Sequence, residues 1–138
     1  MLVTLQFLLL AALAWPVYAG LPHASAIGLV LAGVVLGVWS LVANRPGNFN
    51  IRPEVKPGSR FIERGPYRFV RHPMYVAVLV VAAGLVAWQP AAWRGGAWLA
   101  LAGVLYTKTR IEEVAMLRAH PSYAAYRART SRWLPFLW

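Results

Sequence analysis

The chain has 138 residues, the size of one domain, and 59% of them are apolar, which argues against a water-soluble monomer. Fourteen Lys and Arg against four Glu and no Asp give a net charge of +10, a balance typical of proteins that bind nucleic acid or anionic membranes, and the apolar content favours the membrane. The absence of cysteine excludes disulfide frameworks, thiolate metal sites, iron–sulfur clusters and cysteine nucleophiles.

Two uncharged runs open the chain, at residues 1–18 and 24–43. Because about 20 apolar helical residues cross the hydrocarbon core of a bilayer, we predict two membrane-spanning helices. A cleaved secretory signal is the alternative for the first run, since Val17, Tyr18 and Ala19 resemble a cleavage site. The run lacks a basic N-terminal region, so we expect the first helix to stay uncleaved.

Two glycines of the second run, Gly33 and Gly37, form a small-xxx-small pattern that lets another helix approach closely. Glycine is common in membrane helices, so we weigh ordinary packing within the chain more heavily. A homodimer through Gly33 and Gly37 is the alternative.

Residues 44–73 form a loop that holds five of the ten prolines and has no sustained apolar periodicity. This pattern predicts turns and extended chain, as in a lid or a linker. Pro73 suits the first turn of the next helix and keeps His72 extended, which places Arg71 and His72 at the membrane boundary. Composition alone favours an interfacial anchor there over a functional site.

Two shorter apolar runs, residues 74–88 and 91–106, predict a helical hairpin. A helix of about 15 residues covers about 22 Å, less than the roughly 30 Å core, so these helices must extend into their flanks or lie in a thinned region. We therefore expect an all-α integral membrane protein with about four transmembrane helices, forming a single membrane domain over residues 1–138.

The distribution of basic residues predicts the orientation. Seven lie between the second and third spans and six from Lys108 onward, whereas only Arg94 falls in the remaining loops. The positive-inside rule then puts both termini and the 44–73 loop on the cytoplasmic side. The same charges favour anionic lipids as partners.

Residues 107–138 predict cytoplasmic C-terminal helices. Lys108 with Glu112, and Arg110 with Glu113, are spaced for surface ion pairs, each worth roughly a few tenths of a kcal/mol. The alternative is that one glutamate turns towards the end of the loop, because ionisable residues gathered at membrane depth are candidates for a functional site.

The remaining segment predicts a short helix that brings Tyr123, Tyr126 and Arg127 within about one turn, followed by an aromatic tail at 133–138 in the membrane interface. The tail offers no groove of stacking platforms, so we expect no nucleic-acid partner. The sequence has no dinucleotide-binding glycine motif and no P-loop, and its three histidines lack metal-ligand spacing, so we expect no metal.

One combination of motifs is more specific than any of its parts. It consists of GPYRFVRHPMY at residues 65–75, Glu112 and Glu113, Tyr123, Tyr126 and Arg127, and RWLP at 132–135. With NFNIRPE at 48–54, it resembles the isoprenylcysteine carboxyl methyltransferase family and the broader group that includes the phospholipid N-methyltransferases.

The resemblance implies S-adenosylmethionine as methyl donor, bound without a Rossmann domain. It implies donor-binding roles for Arg71, His72, Tyr75, Glu113 and Tyr126, with arginine on the donor carboxylate, glutamate on its ammonium or ribose, and aromatic rings around adenine and sulfonium.

The acceptor requires separate residues. A carboxylate acceptor is already ionised at pH 7 and needs only a cation such as Arg127 or Arg52 to orient it. An amine acceptor has to lose a proton, and Glu112 is the available base.

The resemblance thus implies a methyltransferase at the cytoplasmic membrane interface, with a lipophilic acceptor of the isoprenylcysteine carboxylate type. Amine methylation of phospholipids and thiol methylation are the alternatives of the same chemistry. A basic membrane anchor without catalysis is the alternative outside enzymes. The chain is shorter than the better known members of the family. The resemblance therefore says least about the pocket that binds the acceptor.

Overall fold

The structure, a computed structural model, describes residues 1–15, 20–44 and 62–134. Within these ranges the chain is helical and has no β-strand, as the sequence predicts. The elements are α1 (Leu2–Ala14), α2 (Ala24–Asn44), a 3-10 helix (Gly65–Arg68), α3 (Pro73–Trp88), α4 (Ala92–Ala119) and α5 (Tyr123–Arg129).

Prolines mark most of the helix ends. Pro73 is the first residue of α3, where its missing N–H costs no hydrogen bond. Trp15, Gln89 and His120 each follow the last turn of a helix in a non-helical conformation, and each precedes a proline in the sequence. A proline disfavours the helical conformation of the residue before it, so the sequence itself stops α1, α3 and α4.

The four long helices run alternately up and down. A core of Leu13, Leu79, Ala82, Leu101 and Leu105 joins α1, α3 and α4. Helix α2 packs along α3, and Gly33 of α2 and Gly84 of α3 make this contact close. In this order, the C-terminus of α2, the N-terminus of α3 and the C-terminus of α4 lie at the same end of the bundle.

Gly33 provides the first of these close contacts. A Cβ added at Gly33 would lie 2.9 Å from the carbonyl oxygen of Ala77 and 2.8 Å from the backbone nitrogen of Val81. Gly37 faces the same helix, with its Cβ position 3.6 Å from that of Ala77. Gly33 and Gly37 thus face α3 within the chain, and the homodimer through these glycines stays a prediction.

Much of the outer surface is apolar. Leu8, Leu31, Val35 and Val42 on α1 and α2 are all more than half exposed. Among the described helices, α2 alone is long and apolar enough to cross a bilayer, with a mean hydropathy of 2.4 over its best window, while α1 and α3 are shorter apolar helices. The number of spans and the orientation of the termini stay predictions.

One helix end differs from the predicted run. The first helix ends at Ala14, before the predicted limit of 18, because Pro16 follows Trp15. The apolar run 91–106 extends into its C-terminal flank: α4 is one helix of 28 residues. No proline interrupts it, so the charged segment simply continues the apolar one.

Arg94 also departs from the expected loop position. It lies in the first turn of α4 and is buried. Its guanidinium donates to the carbonyl oxygens of Leu13 and Trp15 at 3.2 and 3.3 Å, and to Oε1 of Gln89 at 3.0 Å. It therefore satisfies free carbonyl groups at the C-terminus of α1, where a cation is also favoured by the helix dipole.

Several predictions fall outside the described residues. They are the cleavage-like Val17 to Ala19, the loop prediction for residues 45–61 together with Arg52 and residues 48–54, and the end of the aromatic tail at 135–138.

Candidate functional site

The site lies at the bundle end where α3 begins, and a backbone contact closes it. The segment before α3 pairs with the segment after α5: the Ser131 N–H donates to Phe69 O at 3.2 Å, and the Arg71 N–H donates to Ser131 O at 2.8 Å. The His72 N–H donates to Arg132 O at 3.2 Å. These bonds bring Arg71, His72 and Arg132 to the side of α4 that carries the two glutamates.

Glu113 is the centre of the cluster, and its side chain is only 3% exposed. Arg71 Nε and Arg132 Nη2 lie 2.9 and 3.0 Å from its carboxylate oxygens. His72 Nε2 lies at 3.3 Å and Arg127 Nε at 3.6 Å. One buried carboxylate thus holds side chains from three separate parts of the chain.

The ionisation of Glu113 follows from these contacts. Burial raises the pKa of a carboxyl group, but the hydrogen bonds from His72, Arg132 and Arg71 outweigh it and hold the pKa of Glu113 well below its usual range. The same bond raises the pKa of Arg132. Glu113 is therefore a carboxylate at every physiological pH.

His72 bridges the two glutamates. Its Nδ1 lies 3.5 Å from Glu112 Oε2, and its Nε2 faces Glu113. Burial lowers the pKa of His72, but the hydrogen bonds to Glu112 and Glu113 outweigh it, so the pKa is raised above the ordinary value of 6.5. With a carboxylate at each ring nitrogen, the imidazolium form satisfies both sides.

Glu112 occupies a more open position than Glu113. The Tyr75 hydroxyl donates to Glu112 Oε1, and the rings of Tyr75 and His72 stack with centroids 5.7 Å apart. The Glu112 side chain is 21% exposed. The adjacent glutamates therefore differ: Glu113 is enclosed by cations, whereas Glu112 reaches solvent.

The two central arginines differ in the same way. Arg71 is buried, and its Nη1 donates to the carbonyl oxygens of Arg127, at 3.0 Å, and Thr130, which lie at the end of α5. The side chain of Arg127 is 46% exposed. Arg71 thus fixes α5 against the start of α3, and Arg127 is the cation of this cluster most open to a ligand.

Tyr126 lies beside the ionic cluster. Its hydroxyl donates to the carbonyl oxygen of Tyr67 at 2.6 Å, and its ring contacts that of Tyr123 with centroids 5.5 Å apart. Burial raises the pKa of all three phenols, that of Tyr67 to about 12. They are neutral at physiological pH, and Tyr123 and Tyr126 are buried beside the cluster.

The partners of Glu113, Arg110 and Lys108 differ from the two surface ion pairs predicted within α4. Glu113 is bound to Arg71 and Arg132 instead, and the guanidinium of Arg110 donates to the Tyr106 hydroxyl at 3.4 Å. Lys108 is buried and donates to Gln6 on α1. The alternative, in which a glutamate faces the end of the loop, is the arrangement found.

The structure brings together six of the seven residues singled out from the sequence, with Tyr126 adjacent. The six are Arg71, His72, Tyr75, Glu112, Glu113 and Arg127. Sequence reasoning missed Arg132 as a site residue, although it begins the RWLP motif, and it missed the buried Lys108. Within the described ranges, no group of three or more His, Cys, Asp or Glu side chains could hold a metal ion.

Comparisons with known proteins add one finding. The model of the isoprenylcysteine carboxyl methyltransferase (ICMT) family matches residues 26–119, which is more than half of the chain and includes α2, α3 and α4. Neither the comparison with curated proteins nor that with solved structures found a match.

Proposed function

The chain belongs to the isoprenylcysteine carboxyl methyltransferase family of membrane methyltransferases, and from this premise we propose that it transfers a methyl group from S-adenosylmethionine to a lipophilic acceptor at the cytoplasmic membrane interface. The acceptor class that we propose is an isoprenylcysteine-type carboxylate. The observation that carries the proposal is the convergence of the motif residues on Glu113 at one end of the helix bundle.

The side chains around the cluster fit the chemistry of the donor. S-adenosylmethionine presents a carboxylate, an ammonium, a sulfonium and an adenosine. The cluster offers an arginine with a half-exposed side chain, a partly exposed glutamate and several aromatic rings. We propose that Arg127 binds the donor carboxylate and that Glu112 binds its ammonium or ribose. His72, Tyr75 and Tyr67 would then face the sulfonium and the adenine.

Arg71 and Glu113 have a different role in this proposal from the one the resemblance implies. Both are almost enclosed, and each already binds the other. We propose that they hold the start of α3, the C-terminal part of α4 and the end of α5 in register, so that Arg127 and Glu112 face the same space. Catalysis by such a site depends mainly on positioning the two reactants.

The acceptor chemistry follows from protonation states. The donor, when bound, supplies a methyl group activated by its positive sulfonium. A carboxylate acceptor is ionised at neutral pH, so no side chain has to remove a proton, and a cation suffices to orient it. For an amine acceptor Glu112 is the candidate base, but Tyr75 and His72 already bind its carboxylate. The contacts therefore favour the carboxylate.

We also propose how the acceptor and the donor reach the site and which lipids surround it. A lipophilic acceptor would reach the site from the bilayer along the apolar outer surface, and the donor would come from the cytoplasm. Exposed arginines near the site, among them Arg68 and Arg118, favour anionic lipids around it.

Calorimetry on the detergent-purified chain tests the donor site, with S-adenosylmethionine and its demethylated product S-adenosylhomocysteine as ligands. We expect saturable binding by the wild type and binding weakened about ten-fold or more in Arg127→Gln, because an ionic hydrogen bond to the carboxylate is lost. Arg129→Gln is the matched control, since Arg129 is an exposed arginine of the same helix that pairs with Glu63. A folded wild type that binds neither ligand overturns the proposal and favours the basic anchor.

Methyl transfer from isotope-labelled donor tests the acceptor class. An S-prenylcysteine carboxylate, a lipophilic thiol and an aminophospholipid are offered in separate reactions. We expect label in the carboxylate, released as methanol by alkali because the product is an ester. Alkali-stable label in the aminophospholipid would identify amine methylation instead.

A further inference from the structure

Lys108 lies inside the helix bundle, with a side chain that is 1% exposed. Its Nζ donates to Oε1 of Gln6 on α1 at 2.8 Å. The same nitrogen lies 5.0 Å from the centre of the Tyr75 ring on α3. A single ammonium therefore connects three helices at one level of the bundle.

Tyr75 links this ammonium to the site. Its hydroxyl donates to Glu112, and its ring stacks on His72. A cation over an aromatic ring is attracted by the ring's quadrupole, more strongly where water is excluded. The position of Lys108 thus limits where the Tyr75 ring can lie, and the Tyr75 hydroxyl in turn limits the carboxylate of Glu112.

A purely structural role would not require a charge at this position. Burying an ammonium costs free energy, and replacing buried charges by apolar side chains of similar volume is often neutral or stabilising. Methionine would fill the space beside Leu105 and Leu101 without that cost. The amide of Gln6, itself buried in an apolar helix, is a second polar group placed to hold the ammonium.

We infer that Lys108 and Gln6 are positioning residues of the site, which hold Tyr75 and, through its hydroxyl, Glu112 in the orientation that faces the methyl donor. This inference rests on the proposed function, in which Tyr75 and Glu112 border the donor. Gln6 belongs to α1, and the match to the family model begins only at residue 26. Helix α1 thus contributes a positioning residue to the site in addition to its apolar packing in the bundle.

The experiment compares two buried cations that both join α4 to α1. Lys108 does so at the site, and Arg94 does so at the opposite end, through the carbonyl oxygens of Leu13 and Trp15. Lys108→Met and Arg94→Met are purified in detergent as full chains. Their affinity for S-adenosylhomocysteine is measured by calorimetry, and their stability by thermal unfolding.

We expect Lys108→Met to weaken S-adenosylhomocysteine binding about ten-fold, because the ring and the carboxylate lose their fixed orientation. Lys108→Arg keeps a cation beside the Tyr75 ring and should bind S-adenosylhomocysteine within about three-fold of the wild type. Arg94→Met should lower the melting temperature and leave the affinity unchanged. Gln6→Leu provides a second variant, which weakens binding in the same direction even if Lys108→Met does not fold.

Three results would overturn the inference. Wild-type affinity in Lys108→Met, or in Gln6→Leu if Lys108→Met does not fold, would show that the pair does not position the site, while the proposed function would stand. An equal loss of affinity in Arg94→Met would attribute the effect to general loosening of α1 against α4. A wild type that does not bind S-adenosylhomocysteine would overturn the proposed function, and this inference with it.

Discussion

Arg71 and Glu113 lie 42 positions apart in the chain, yet the Arg71 Nε is 2.9 Å from the Glu113 carboxylate, and both side chains are almost enclosed by protein. Arg71 also binds the carbonyl oxygens at the end of α5. The pair therefore joins the start of α3, the C-terminal part of α4 and the end of α5. Its loss should separate these three elements.

We predict that Glu113→Gln strongly destabilises the protein. The amide leaves Arg71 and Arg132 facing each other without the carboxylate that joins them, and breaking a buried ion pair typically costs about 3–5 kcal/mol. Thermal unfolding in detergent measures the effect. The control is Glu63→Gln, whose carboxylate pairs with Arg129 at the surface and should contribute at most about 1 kcal/mol. Similar melting temperatures for the two variants would contradict the central role of Glu113.

The stability of the protein should decrease in mildly alkaline solution because of His72. Its pKa is raised in the folded state, so its contribution is fully present below about pH 6.5, the ordinary value, and is lost as the pH rises through the folded-state pKa. Melting temperatures between pH 6 and pH 9 should fall for the wild type. His72→Gln carries no titrating ring and should lack this decrease, whereas the exposed His23, changed to Gln, should keep it.

Acid should act through Glu113 in the opposite direction. Its pKa is lowered in the folded state, so its contribution is fully present above about pH 4.5 and is lost as the pH falls through the folded-state value, well below the usual carboxyl range. We therefore expect unfolding to remain insensitive to Glu113 titration at pH 5 and to become sensitive only in strong acid. A wild type that loses stability between pH 6 and pH 5 by the protonation of Glu113 would refute this.

Gly33→Val should weaken the contact between α2 and α3. Its Cβ would lie under 3.0 Å from backbone atoms of Ala77 and Val81, which cannot rotate away, and such overpacking costs about 1–3 kcal/mol. Gly28→Ala meets nothing within 4 Å and serves as the control. Unchanged unfolding of Gly33→Val, together with a changed oligomeric state, would point to the homodimer instead.

Tyr126→Phe separates two roles of one residue. The variant loses the hydrogen bond to the Tyr67 carbonyl and should be less stable by about 1 kcal/mol. Because that hydroxyl is already bound within the chain, we expect S-adenosylhomocysteine affinity to stay within about two-fold of the wild type. A much larger loss of affinity, with an unchanged melting temperature, would assign the hydroxyl to the donor.

Local features of the sequence predicted much of this structure. Prolines predicted the start of α3 and the interruption before α4. The contact of a glutamate with His72 was the alternative to surface ion pairs within α4. The burial of Lys108 was not predictable in this way, because its partner Gln6 is 102 positions distant and the local spacing of Lys108 to Glu112 is that of a surface ion pair. Arg94 was misplaced for the same reason: the carbonyl groups that hold it belong to a different helix.

The continuity of α4 relates the site to the lipid around it. At about 1.5 Å per residue, its 28 residues extend about 42 Å, beyond a hydrocarbon core of roughly 30 Å. Helices adjust to bilayers of different thickness by tilting, and a helix without a hinge tilts as a rod. Glu112 and Glu113 belong to the C-terminal part of this helix, whereas Arg71 and Arg132 belong to other segments of the chain. If α4 crosses the bilayer, as the sequence predicts, a change in the acyl-chain length of the surrounding lipid should shift the two glutamates relative to Arg71 and Arg132.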